Sequence, residues 1–216
     1  MPRDTTNAIV YLPYLLCIDI ARLFWFNRGM AIRDIIIAPN PVLRTKSEPV
    51  AQYERELHTL LDDMYESMVA SNGIGLAAPQ VGVSLQVAII DISSDYIEQP
   101  IITASDAVSK DLHVHQQRLE LINPRIVSSL QKVSSEEGCL SIPDYRDTIS
   151  RFDTVAVEAL DRHGRRFSFT AHELLAFAVQ HEVDHLNGIL FVDHLSRLKK
   201  TLFRKWAARN LGTADI

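Results

Sequence analysis

Gln180-His181-Glu182-Val183-Asp184-His185-Leu186-Asn187-Gly188 is the stretch that decides how the rest of this chain is read. Its core is H-E-x-x-H. Residues four apart lie one above the other on a helix face, so His181 and His185 can reach one metal ion. Glu182 neighbours that face and can take a proton from a water that the metal activates. Just upstream, Thr170-Ala171-His172-Glu173 matches a capping box, with Thr170 at the N-cap and Glu173 at N3. The predicted helix then carries Leu174, Leu175, Phe177, Ala178 and His181. It ends at Asn187-Gly188, where glycine accepts the left-handed conformation of a helix terminus. Two imidazoles do not complete a catalytic centre, which typically has three protein ligands and one open position. Downstream, Asp193 and His194 are near enough to consider. Upstream stands Cys139, within Glu136-Glu137-Gly138-Cys139-Leu140-Ser141-Ile142-Pro143. A lone cysteine is usually a small buried hydrophobe, but Gly138 and the polar neighbours make this one a poor core residue.

Working outward, strands are predicted at 87–91, 119–123, 134–140, 154–160 and 166–170, the last two flanking the hairpin turn Asp161-Arg162-His163-Gly164. Leu57, Leu60, Leu61, Met64 and Met68 mark an amphipathic helix over 53–70, closed by Asn72-Gly73. Residues 93–117 are polar and aperiodic and read as a long loop. Ser196 can cap a last helix over 197–210, with Leu198, Leu202, Phe203 and Trp206 on one face and six basic residues around the rest. Short antiparallel strands packed around a central H-E-x-x-H helix, with a C-terminal helix, make this an α+β fold rather than a parallel doubly wound sheet.

The chain has 216 residues, 47% hydrophobic and 23% charged, the proportions of an ordinary globular protein. Its formal charge of −5 argues against a nucleic-acid-binding protein, and DNA is not an expected partner. The two cysteines, Cys17 and Cys139, are too far apart in sequence and too few for a disulfide framework. Residues 8–26 are apolar over about the length that spans a bilayer, but Pro13, Asp19 and Arg22 interrupt them. Met30 opens a new pattern, so residues 1–29 read as an N-terminal extension: a targeting segment, or an artefact of start-codon choice.

A third segment is Gly73-Ile74-Gly75-Leu76-Ala77-Ala78-Pro79-Gln80, whose glycines and small residues let backbone approach a ligand closely. Alone it would be a turn between a helix and a strand. GIGLAAPQ, EGCLSIP and QHEVDHLNG together, in this order, with a 42-residue step from Cys139 to His181, resemble the three signature motifs of the peptide deformylases. These enzymes remove the formyl group from N-terminal formyl-methionine. The resemblance covers about residues 30–209.

The resemblance implies a catalytic domain over 30–195 and a basic amphipathic helix and tail over 196–216. It implies Cys139, His181 and His185 as ligands of one divalent metal, Fe²⁺ in the cell, with Zn²⁺, Ni²⁺ or Co²⁺ as substitutes. Glu182 corresponds to the general acid and base, and Gln80 with the Leu140 backbone N–H to the oxyanion donors. Ile74, Leu174, Phe177 and Ala178 would line the methionine pocket, and Ile74, Gly75 and Gly138 would pair with the peptide backbone. Arg146 and Arg151 match positions that hold the second motif or contact the peptide. The implied partners are formyl-methionyl nascent peptides and, through the C-terminal helix, the ribosome surface near the exit tunnel. That helix is expected to be separable from activity on short peptides. The implied location is bacterial cytoplasm, with import into an organelle as the alternative. An H-E-x-x-H endopeptidase would leave Cys139 and the other two motifs without a role, and a non-catalytic module of the same fold would not need Glu182.

Overall fold

Val87–Asp91 (β2) shows how the sequence builds the fold. Val87 and Ile89 point to one face of this strand and Ala88 and Ile90 to the other, and all four are fully buried. A strand buried on both faces needs a helix on each side. Leu57, Leu60, Leu61, Met64 and Met68 of α1 (Arg55–Ala70) pack on the Val87/Ile89 face. Leu175, Ala176, Val179 and Leu186 of α2 (Glu173–Leu186) pack on the Ala88/Ile90 face. Burial of each such leucine is worth about 1.5–3 kcal/mol, so these two interfaces hold the layers together. The computed structural model describes residues 31–92, 102–103 and 118–216. The apolar segment 8–26, Cys17, Met30 and all but two residues of the loop expected over 93–117 lie outside them.

The other strands are β1 (Gly75–Ala77), β3 (Ile102–Thr103), β4 (Arg118–Cys139), β5 (Ile142–Leu160) and β6 (Arg166–His172). With β2 they form one antiparallel sheet in the order β1-β2-β4-β5-β6-β3. The α+β architecture expected from the sequence is the one observed. No helix among the described residues is long and apolar enough to cross a membrane.

Several local expectations change. The candidates at 119–123 and 134–140 are two ends of one strand, β4, of 22 residues, paired with the 19 residues of β5. The middle of β4 is largely exposed on both faces, so it lacks the apolar alternation that marks a half-buried strand; pairing across from Arg125↔Glu158 to Gly138↔Arg146 holds it. A register shift between Ile122 and Arg125 accompanies Asn123, which is at positive φ. Thr170 does not cap α2, because β6 stays paired with β5 through His172, which is the N-cap. At the end of α1 it is Asn72, at φ 54°, that takes the left-handed conformation, and Gly73 N–H then donates to Met68 O at 2.9 Å.

α3 (Arg197–Asn210) starts where expected, with Ser196 Oγ accepting from Lys199 N–H. Its apolar residues do not form one stripe. Phe203 and Ala207 are buried and Trp206 packs beside them against Ile142, Ile149 and Phe191. Leu198 and Leu202 are 71% and 55% exposed and face away from the body. Residues 198 and 203 are five apart, about 140° around a helix from one another, so one helix face cannot hold both sets. Lys199 Nζ donates to Asp147 Oδ1 at 2.6 Å and Thr148 O at 2.7 Å, fastening α3 to β5.

Candidate metal centre

The hairpin joining β4 to β5 turns tightly at Leu140–Ser141, with Cys139 paired to Ile142, and this puts the thiol at the strand's end facing α2. On α2, His181 and His185 stand one turn apart with ring centroids 5.0 Å from each other. One ligand atom from each of Cys139, His181 and His185 lies within 4.8 Å of the other two. Cys139 Sγ is 3.2 Å from His185 Nε2. Donors held tetrahedrally at metal–ligand distances of 2.0–2.3 Å stand about 3.5 Å apart, so this set fits one divalent ion. The other candidates for a third ligand are engaged elsewhere. Asp193 pairs with Arg44 and accepts from Leu190 N–H at 2.8 Å, and His194 bonds Asp184.

The electrostatics of the cluster suit a cation. Burial, with the neighbouring His181 and Arg151, pushes His185 well below its ordinary pKa and keeps it the neutral imidazole that a metal requires. Burial acts in the same sense on His181, but its contacts with Cys139 and Glu137 outweigh that and drive its pKa well up; positive charge is favoured between these two groups. His181 Nδ1 donates to Glu137 Oε2 at 2.9 Å, leaving its Nε2 to the site. Burial would raise the Glu137 pKa. Hydrogen bonds from His181 and Arg151 and the Arg151 charge prevail and hold it at about 2. Arg151 grips Glu137 with both arms, Nε to Oε1 at 2.8 Å and Nη2 to Oε2 at 3.0 Å.

Glu182 is different. It is buried, its Oε2 has no hydrogen-bond partner among the described residues, and burial raises its pKa to about 7. A carboxyl poised near neutrality can both accept and return a proton. Its other oxygen lies against Gly75 of β1, where any Cβ would collide with Glu182 Oε1. Gly75 is therefore required by this approach and not by a turn.

Gln80 sits in the 3₁₀ turn Ala78–Val81 that follows β1. Its Oε1 accepts from Ala77 N–H at 2.9 Å, so its NH₂ must face the site, where it donates to Ser141 Oγ at 3.2 Å and lies 3.6 Å from Cys139 Sγ. The structure thus brings Gly75, Gln80, Cys139, His181, Glu182 and His185 together from four segments. Of the remaining sequence candidates, Leu140 is at the turn, Ile74 is exposed just before β1, and Phe177 is half-buried on α2. Leu174 and Ala178 pack with the core between α2 and the sheet. Gly138 lies opposite Arg146, whose side-chain stem crosses it and whose head is exposed.

Glu137 escaped the sequence reading. A metal-ligating histidine almost always gives its second N–H to a carboxylate, carbonyl or water, and a residue two before Cys139 shares its side of the strand. Those two facts together would have singled out Glu137 over its neighbour Glu136.

A family model described as polypeptide deformylase matches residues 32–201. The chain belongs to the peptide deformylase family. Among curated members, the peptide deformylase of Helicobacter hepaticus is 43% identical over 176 residues, spanning 82% of this chain and 90% of that protein. That of Nautilia profundicola is 42% identical over 176 residues, 82% of this chain and 93% of the relative. Among solved structures, a peptide deformylase from Legionella pneumophila superposes with a TM-score of 0.68 at 41% identity, covering 83% of this chain and 99% of that one. The Ehrlichia chaffeensis peptide deformylase in complex with actinonin gives 0.70 at 33% identity, covering 83% and 98%. This family membership makes the chain a peptide deformylase-type enzyme, and Cys139, His181 and His185 form a group at its centre whose geometry suits a metal ion.

Proposed function

We propose that the chain hydrolyses the formyl group from the N-terminal formyl-methionine of new proteins, using a divalent metal held by Cys139, His181 and His185. The observation that carries this reading is the convergence of those three donors beside the unpartnered, buried Glu182 carboxyl. When bound, the ion supplies Lewis acidity and lowers the pKa of water. The family resemblance favours Fe²⁺, with Zn²⁺, Ni²⁺ or Co²⁺ as replacements. A thiolate ligand softens the site and exposes it to oxidation.

The residues divide the work. Glu182 takes a proton as a water oxygen adds to the formyl carbon. The oxyanion so formed faces the Gln80 NH₂ and the Leu140 N–H, each donor contributing about 3 kcal/mol where such groups have been removed in other enzymes. Glu182 then returns its proton to nitrogen as the C–N bond breaks, and formate and a free amino terminus leave. Ile74, Phe177, Leu174 and Ala178 form the apolar side of the methionine subsite. Ile74, Gly75 and Gly138 offer main-chain groups to the peptide, added as a strand. Arg146, with its exposed guanidinium, is read as a contact to the peptide beyond the methionine.

Release of one formate per formyl-Met-Ala-Ser peptide tests the reading directly. Absence of release from a protein loaded with Fe²⁺, Ni²⁺ or Co²⁺ in turn would overturn it. The six basic residues of α3, with no acidic residue among them, support docking on ribosomal RNA. Reversing Arg197, Arg204 and Arg209 to Glu is expected to abolish salt-sensitive co-sedimentation with ribosomes and to spare activity on short peptides; undiminished co-sedimentation would refute the docking.

A further inference from the structure

His194 is a half-exposed histidine that neither the metal cluster nor the reaction uses, yet it closes a continuous line of contacts reaching a proposed ligand. His194 Nε2 lies 2.7 Å from Asp184 Oδ2, and the same oxygen accepts from Arg151 Nη1 at 2.6 Å. Arg151 grips Glu137, and Glu137 accepts from His181 Nδ1. Side-chain exposure falls along that line, from 35% at His194 and 18% at Asp184 to 4% at Arg151 and 7% at Glu137.

We propose that His194 and Asp184 are positioning residues for the metal centre: they fix the orientation of Arg151, which through Glu137 fixes the ring of His181. The inference rests on the metal reading given above. Its geometry settles which proton is where. Without a proton on Nε2, the ring lone pair of His194 would face a carboxylate lone pair at hydrogen-bond distance. Nε2 therefore carries hydrogen and donates to Asp184. The 3.4 Å approach of Arg151 Nη1 to His194 Nε2 is then two donors converging on one oxygen. Arg151 has five N–H donors in a rigid plane, so holding Nη1 on Asp184 while Nε and Nη2 hold Glu137 removes the freedom of that plane to swing.

The anchor is independent of α2. His194 ends the 3₁₀ turn Phe191–His194, whose Phe191 is buried and lies against the His181 ring with centroids 6.1 Å apart. Next to it, Asp193 pairs with Arg44 and pins the turn. Four elements, β4, β5, α2 and this turn, thus meet in one polar line that terminates at His181. Orientation of a ligating imidazole by such outer partners commonly governs metal retention.

His194→Phe removes the donor at a position exposed enough to tolerate the ring, and His194→Gln restores an N–H at a similar reach. Each is loaded with Co²⁺ and followed by the Co²⁺–thiolate absorption band, by the rate of Co²⁺ loss to a chelator, and by the thermal midpoint. The Phe variant is expected to lose Co²⁺ about threefold to tenfold faster than the parent, below the ten- to hundredfold typical of a direct partner of the ligand. The Gln variant is expected to stay close to the parent rate. Asp184→Asn tests the line from its other member and should also lose Co²⁺ faster. A Phe or Asn variant that keeps the parent rate and band, or a Gln variant that fails as the Phe variant does, overturns the inference alone. A parent protein without a Co²⁺–thiolate band overturns the ligand assignment, and this inference with it.

Discussion

Gly75→Ala isolates the close approach of β1 to Glu182. Gly75 is not among the glycines held at positive φ, so alanine suits its backbone and the effect is purely steric. The new Cβ would collide with Glu182 Oε1 and stand 3.0 Å from Cδ and 3.2 Å from Cγ. Carbon pairs rest at about 3.5–4.0 Å, so even the two carbons fall short by about half an ångström, and the oxygen by more. Glu182 is buried and cannot swing into solvent, so either its carboxyl or β1 must move by about that distance. Overpacking of this kind costs about 1–3 kcal/mol. At about 2–4 °C per kcal/mol for a chain of this size, the protein remains folded. A displacement approaching 1 Å of a group that must meet a reacting proton costs about 100-fold. The expected result is therefore a loss of about 100-fold in kcat/KM for a formyl-Met peptide, falling mostly on kcat, with full metal content because Cys139, His181 and His185 are untouched. Gly73→Ala is the control: its Cβ meets Leu140 Cδ1 at 2.9 Å, the end of a flexible side chain, and should cost far less. A Gly75→Ala protein as active as the parent would refute the claim that this approach positions Glu182.

Three further outcomes follow from the same contacts. Glu182→Ala should abolish deformylation with metal content unchanged, whereas His181→Ala or His185→Ala should lose the metal itself; stoichiometric metal in His185→Ala by elemental analysis would contradict the ligand assignment. Cutting the chain after Ser196, which the sequence suggested would spare activity on short peptides, should lower the melting temperature markedly, because it uncovers the Phe203–Trp206–Tyr145 aromatic cluster and Ile149; an unchanged melting curve would show the helix to be merely attached. Burial opposes ionisation of Asp147, but Lys199, Thr148 N–H and Tyr145 outweigh it and hold its carboxyl below the usual range. Its stabilising contribution is thus present above the ordinary carboxylate pKa of about 4 and fades as pH falls through the lowered value. The gap in melting temperature between the parent and Asp147→Asn should be open at pH 7 and should narrow below about pH 4; a gap independent of pH would refute this.

What the sequence alone determined about this protein is what spacing along one element dictates. Two imidazoles four apart on a helix share a face whatever surrounds them, and Ser196 caps α3 and Asp161–Gly164 turns a hairpin through bonds within a few residues. The continuous apolar run Val87–Ile90 likewise announced a short buried strand. Three motifs in order carried the family, because each demands residue types that chance seldom supplies together. What only the tertiary structure decided depends on partners distant in the chain. The middle of β4 is a strand because β5 pairs with it, not because its own pattern says so, and Thr170 fails as a cap because pairing with β5 continues past it. Phe203 and Trp206 turn inward and Leu198 and Leu202 outward because the body of the protein offers an apolar surface to only one side of α3. Glu137, Arg151, Asp184 and His194 become one polar line only when four elements converge. A charged residue is silent about its partner until folding excludes water around it, and burial then leaves the ion pair as the only way to satisfy its charge.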